Sequence, residues 1–181
     1  MFLRNQLPTL KDNIHIILHG SHAEKEKIKG QFFYLADTPE FMKELGLTGE
    51  YFNIRYGVII RHKGKDKDHD LSENNWIDLC DAISKPFAIA VYGNGFRLFT
   101  SVKMNDRFII AGVDVKNVAM ELEVNAISTA FGYDHGQING IIYRAKNLTP
   151  EQAALLDGHS SLSLPPARDH DAEHEAQPTI I

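Results

Sequence analysis

The stretch Tyr56 to Asp70, YGVIIRHKGKDKDHD, holds the densest set of chemically capable side chains in the chain. It supplies two histidines, His62 and His69, the cations Arg61, Lys63, Lys65 and Lys67, and the carboxylates Asp66, Asp68 and Asp70. Histidine can take up or give up a proton near neutrality. Arginine and lysine can neutralise charge developing on a phosphate. Together these groups suit an anionic substrate. The competing reading is a solvated loop, because most charge runs are only that. A metal site can also be drawn from the histidines and aspartates, but their spacing matches no zinc pattern.

A second group lies in EVNAISTAFGYDH, residues 123 to 135. Ser128 and Thr129 interrupt an apolar, β-branched run. In a strand their hydroxyls could merely satisfy nearby backbone groups. They could equally donate to a phosphate oxygen. Asn125, Tyr133, Asp134 and His135 add polar groups at the ends of the same element, and Gly132 marks a turn. The segment lacks the G-x-S-x-G elbow of serine hydrolases. A third cluster, His15, His19 and His22, has spacings of four and three that would align on a helix. Its apolar surroundings, Ile14 to Leu18, read as a strand, which points to a surface role. His159, His170 and His174 fall in the tail and carry no weight.

These residue types describe one reaction that needs no cofactor: cleavage of RNA by its own 2′-hydroxyl. A base takes the 2′ proton, an acid protonates the departing 5′ oxygen, and cations stabilise the phosphate in between. His62 and His69 suit the first two roles, and Arg61, Lys63 and Lys67 the third.

The elements that must position these groups follow from periodicity. Phe32 to Leu35 is β-prone. Thr38 and Pro39 start a short helix that runs from Glu40 to Leu45 and stops at Gly46. Phe52 to Ile60 reads as a strand that delivers the basic loop. Ser72 caps the next helix, whose buried face is Trp76, Leu79, Cys80 and Ile83. Phe87 to Tyr92, Phe96 to Val102 and Arg107 to Val115 form a meander, with turns at Gly93 to Gly95 and Asn105 to Asp106. Lys116 to Leu122 is a connection, Glu123 to Phe131 a further strand, and Ile138 to Tyr143 a last strand or turn. Thr149 and Pro150 start a helix from Gln152 to Leu156. Helices followed by runs of strands predict an α+β fold, with an antiparallel sheet of four or slightly more strands packed against helices.

The chain has 181 residues and a net charge of −5. The tail from Pro165 contributes −3, so the body carries 18 basic against 20 acidic residues. A near-neutral body with one basic loop fits local phosphate recognition better than coating of a duplex. Cys80 is the single cysteine, so no intrachain disulfide forms, and its helical position reads as a small core residue. No apolar run reaches the length of a membrane span, and the N-terminus has no signal-peptide pattern. A cytoplasmic location follows as the expectation, with no membrane partner. From Asp157 the composition shifts to Ser, Pro, His, Asp and Glu, which predicts a disordered acidic tail over 158–181.

The order RHKGKDKDHDLS, then NNWIDLCDAISKPFAIAVY, then a β-meander, then DVKNVAMELEVNAISTAFGYD resembles the phage MuF-type C-terminal domains. These belong to the barnase, EndoU, colicin and RelE-like (BECR) nuclease fold. The likeness covers about Phe33 to Tyr143. It implies a BECR-like domain over 31–157, an N-terminal extension over 1–30, and a metal-independent endoribonuclease or toxin of phage or mobile-element origin. It implies no cofactor, an RNA substrate, an immunity protein as partner, and delivery as a phage or secreted effector as the alternative to a cytoplasmic role. Carried onto this chain, the catalytic groups would be His69 or His62, Lys63, and the hydroxyl of Ser128 or Thr129. Arg61, Lys67, Asn125 and Tyr133 would contact substrate. His69 ranks above His62 because the Ser72 cap anchors it. The alternative is a non-catalytic binding or structural module of a phage or mobile-element protein.

Overall fold

The computed structural model describes residues 7–65, 69–119, 122–133 and 140–157. Within them the chain is α+β: six helices and one seven-stranded mixed sheet. The elements in order are α1 (Leu10–His19), α2 (His22–Ile28), β1 (Phe32–Asp37), α3 (Glu40–Glu44), β2 (Tyr51–Arg55) and α4 (Tyr56–His62). They continue as α5 (Glu73–Ala82), β3 (Ala88–Tyr92), β4 (Gly95–Met104), β5 (Arg107–Ala119), β6 (Leu122–Gly132), β7 (Ile141–Arg144) and α6 (Pro150–Asp157).

The expected sheet of about four antiparallel strands is larger and mixed. Its order is β1-β2-β6-β5-β4-β3-β7. The meander β3-β4-β5-β6 is antiparallel, while β2 joins β6 in parallel. A parallel neighbour needs a long crossover between the two strands, and residues 56–121 supply it, so local hairpin signals could not reveal this pairing.

Two segments expected as strands are helices. Ile14 to Leu18 belongs to α1, where Leu10, Ile14, Ile17 and Leu18 form a buried stripe. Thr9 caps it, its hydroxyl accepting from the Asp12 amide at 3.2 Å. A ten-residue helix is marginal alone; burying each of these side chains contributes roughly 2 kcal/mol. The four sit in the same core cluster as Phe33, Phe52 and Trp76. Leu10, Ile14, Ile17 and Leu18 are therefore part of the main core, while α2 buries no side chain. Val58 to Ile60, the expected end of a strand, lies in α4. There Val58, Ile59 and His62 are the buried face, and β2 ends at Arg55. A short apolar run has no periodicity to separate helix from strand.

Other elements fall where patterning put them. Ser72 and Asn75 form a reciprocal capping box at the start of α5, and Trp76, Leu79, Cys80 and Ile83 are buried. Thr149 and Gln152 cap α6 the same way, at 3.2 and 2.9 Å. At α3 the N-cap is Pro39 and not Thr38, which is buried and otherwise engaged. Lys116 to Ala119, expected as connection, extends β5. One sheet face packs beneath α1, α4 and α5. The other carries Phe87, Phe99, Phe108 and Tyr133 under Leu156 of α6. No described helix is long and apolar enough to cross a membrane. The expected tail over 158–181 lies outside the described residues.

Candidate functional site

Strand β6 is shared unequally. Its partner β2 pairs only with Asn125, Ala126 and Ile127. Beyond Ile127 that side of β6 is no longer paired with β2, and the end of α4 approaches it there. His62, the last residue of α4, is buried at 8% exposure, with Nε2 3.4 Å from the Thr129 hydroxyl. The His69 ring stacks on it, centroids 5.3 Å apart and planes within 5°. The His69 ring also meets Phe131, with centroids 5.6 Å apart. The chain between them turns at Gly64 (φ 67°), and the Lys65 amide donates to the His62 carbonyl at 3.3 Å. Behind His69, the Leu71 amide donates to its carbonyl at 3.0 Å, just ahead of the α5 capping box. His62 is thus fixed by the end of α4, and His69 sits just ahead of the Ser72 cap of α5.

A cation reaches the same row from across the sheet. Arg97 on β4 faces Gly112 on β5, which faces Thr129 on β6. The half-buried Arg97 lies with its guanidinium 4.0 Å from the Tyr92 ring centroid. A Cβ on Gly112 would come within 2.0 Å of Arg97 Nη1 and 2.6 Å of Thr129 Cγ2. The missing side chain at 112 is what lets the guanidinium lie across β5 beside Thr129. Arg97 makes no ion pair among the described residues. Arg97, Thr129, His62 and His69 therefore form one polar row across three strands and a helix end. Sequence reasoning missed Arg97 and Gly112. Their signals were a lone arginine in FRLFTSV and a glycine inside RFIIAGVDV, both easily taken as strand filler.

Ser128 takes a different direction. The β5–β6 register steps from Gly112↔Thr129 to Val113↔Ile127, which leaves Ser128 as the extra residue of a β-bulge. Bulges re-aim side chains. The Ser128 hydroxyl lies 3.3 Å from both the Gly112 carbonyl and Asp114 Oδ1, and it lines a cleft with Arg55 and Arg61. The two adjacent hydroxyls serve separate surroundings.

The remaining sequence candidates lie apart from the histidine row. Lys63 donates from Nζ to the Leu18 carbonyl, tying the end of α4 to the C-terminus of α1. A cation there also complements that helix dipole. Asn125 is fully buried. Its Nδ2 donates to Thr38 Oγ1 at 2.8 Å, to the Gly49 carbonyl at 3.1 Å and to the Leu47 carbonyl at 3.3 Å. Its Oδ1 accepts from the Gly49 amide at 3.3 Å. That amide fastens the α3–β2 connection to β6 and is buried out of reach of a ligand. Tyr133 is 7% exposed and edge-on to Phe99 at 5.7 Å, a core aromatic. Lys67, Asp66 and Asp68, like Asp134 and His135, lie outside the described residues. Among the described residues no three His, Cys, Asp or Glu side chains are placed to hold a metal ion. His15 and His19 project from the outer side of α1 toward Glu73, at 3.1 and 3.6 Å.

Cys80 is no competitor as a nucleophile. It is buried, its thiol donates to the Trp76 carbonyl at 3.3 Å, and burial pushes its pKa up to about 12. Nucleophilic cysteines need the opposite shift.

Neither a protein-family model, nor a curated protein, nor a solved structure matches this chain.

Proposed function

We propose that the chain is a metal-independent endoribonuclease of BECR-like design, working through the His62–His69 pair beside Thr129. The observation that carries this reading is the stacked imidazole pair, one ring against a hydroxyl and the row continued by an arginine. One imidazole takes the proton of the 2′-hydroxyl. The 2′ oxygen attacks phosphorus, the P–O5′ bond breaks, and the second imidazole gives its proton to the departing 5′ oxygen. The products are a 2′,3′-cyclic phosphate and a 5′-hydroxyl. His69, the more exposed ring, is the group that meets solvent and substrate first, while buried His62 is oriented by Thr129. Arg97 and Thr129 donate to the phosphoryl oxygens as charge builds. Incubating the pure protein with total RNA or tRNA in EDTA tests this. Cleavage that falls at least about 100-fold in His69→Ala, the usual weight of one acid–base group, is the expected result. No cleavage of any RNA, or undiminished cleavage by the variant, contradicts it.

The net charge of −5 favours a second reading, a non-catalytic module of a phage or mobile-element protein that binds through the same face. It predicts a gel shift with RNA or a protein partner and no change in RNA length.

A further inference from the structure

On the bulge side of β6 a cleft of about 240 Å³ is walled by Arg55, Arg61, Ser128, Asp114, Phe32 and Val58. It runs into a second, mostly apolar cleft of about 560 Å³ through the shared Phe32, Arg55, Val58 and Arg61, with Tyr56, Ile60 and Gly57 added. Arg55 is held flat, its guanidinium 4.6 Å from the Phe32 ring centroid. Arg55 and Arg61 are both exposed and neither makes an ion pair among the described residues. Two guanidinium groups on neighbouring walls of one cleft suit a phosphate group. The adjoining apolar hollow, with Tyr56 and Phe32 in its wall, suits a flat ring. Asp114 closes the polar end and lies 3.3 Å from the Ser128 hydroxyl.

We infer that these joined clefts bind a nucleotide unit carrying one phosphate, with the phosphate between Arg55 and Arg61 and the base in the apolar hollow. The inference rests on the RNA reading for the ligand class and places a flanking nucleotide of that RNA. Neither histidine lines either cleft, so binding here can be measured apart from cleavage.

The experiment titrates the full chain with adenosine 5′-monophosphate by calorimetry, beside adenosine and inorganic phosphate. Saturable binding of the monophosphate, tighter than either fragment, is expected. Arg55→Ala and Arg61→Ala should each weaken it about tenfold, the worth of one charge-assisted contact. Gly57→Leu, whose Cβ meets nothing within 4 Å, should weaken it by obstructing the hollow while leaving the fold intact. His69→Ala should bind the monophosphate as the unmutated chain does. No saturable binding up to about 10 mM, equivalent to less than about 3 kcal/mol, overturns the inference. So does binding indifferent to both arginine variants. Phosphate or adenosine binding as tightly as the monophosphate overturns the two-part site. If the monophosphate binds and RNA is not cut, the nuclease reading fails and the nucleotide site stands.

Discussion

Gly112→Ala is the sharpest structural perturbation of the histidine row, because the room it removes can be stated atom by atom. The new methyl group would sit 2.0 Å from Arg97 Nη1 and 2.6 Å from Thr129 Cγ2. Carbon packs comfortably at about 3.5–4.0 Å, so the guanidinium must leave and Thr129 must shift. The arginine end is flexible and moves cheaply; Thr129 is fixed on a paired strand. The combined cost should be in the usual range for overpacking, about 1–3 kcal/mol. For a chain of this size each kcal/mol lowers Tm by about 2–4 °C. Placing Gly112→Ala in an Arg97→Ala background separates the two clashes. With the guanidinium gone, only Thr129 opposes the methyl, and the cost of Gly112→Ala should fall by about 0.5–1 kcal/mol in urea unfolding, within the coupling seen for touching residues. Strictly additive costs would show that Arg97 does not lie over Gly112, and the polar row would lose its cation.

Further predictions follow from the other groups. Asn125→Leu, which strips four hydrogen bonds and strands the Gly49 amide, should cost about 2–4 kcal/mol in unfolding free energy, with no selective loss of RNA binding in the folded fraction. Lys63→Met should lower stability by about 1 kcal/mol through the lost contact with the C-terminal end of α1, measurable by thermal melting. Burial holds the folded Cys80 thiol at about 12 against an ordinary 9.0. The folded chain therefore keeps a proton that the unfolded chain releases. The Cys80 contribution to stability should be flat below about pH 9 and fall above it, by up to about 1.4 kcal/mol per pH unit up to about pH 12. Burial of Tyr51 acts in the same direction. A urea midpoint that does not fall between pH 8 and 10.5, or that falls as steeply in Cys80→Ala, would contradict the Cys80 contribution.

How legible the fold was depended on whether the signal was local. The α5 face from Trp76 to Ile83, the β3–β4 hairpin at Gly93 and the β4–β5 turn at Asn105 and Asp106 (φ 50° and 62°) are written in neighbouring residues. The helices α1 and α4 carry strand-like signals, because IHIIL and VII are rich in β-branched residues and their helical periodicity shows only with Leu10 or with His62 included. The parallel β2–β6 pairing links segments some seventy residues apart, between Phe52 and Asn125, and no local rule specifies it. The site was legible in part for the same reason. His62, His69 and Thr129 stood out by residue type, and the fold brings them together. The split between Ser128 and Thr129 depends on a one-residue bulge. The roles of Asn125 and Lys63 depend on distant backbone at Gly49 and Leu18. Arg97 could be found only by knowing that Gly112 lies between it and Thr129.

On the proposed reading the stacked histidines drive attack by a 2′-hydroxyl. Its most direct measurement compares an RNA oligonucleotide with the same oligonucleotide carrying one 2′-deoxy residue at the cleavage position, both in EDTA. The RNA should be cut to a 2′,3′-cyclic phosphate, the 2′-deoxy substrate should be inert, and His62→Ala and His69→Ala should each remove the cut. Cleavage of the 2′-deoxy substrate, a requirement for divalent metal, or an intact RNA strand would contradict it.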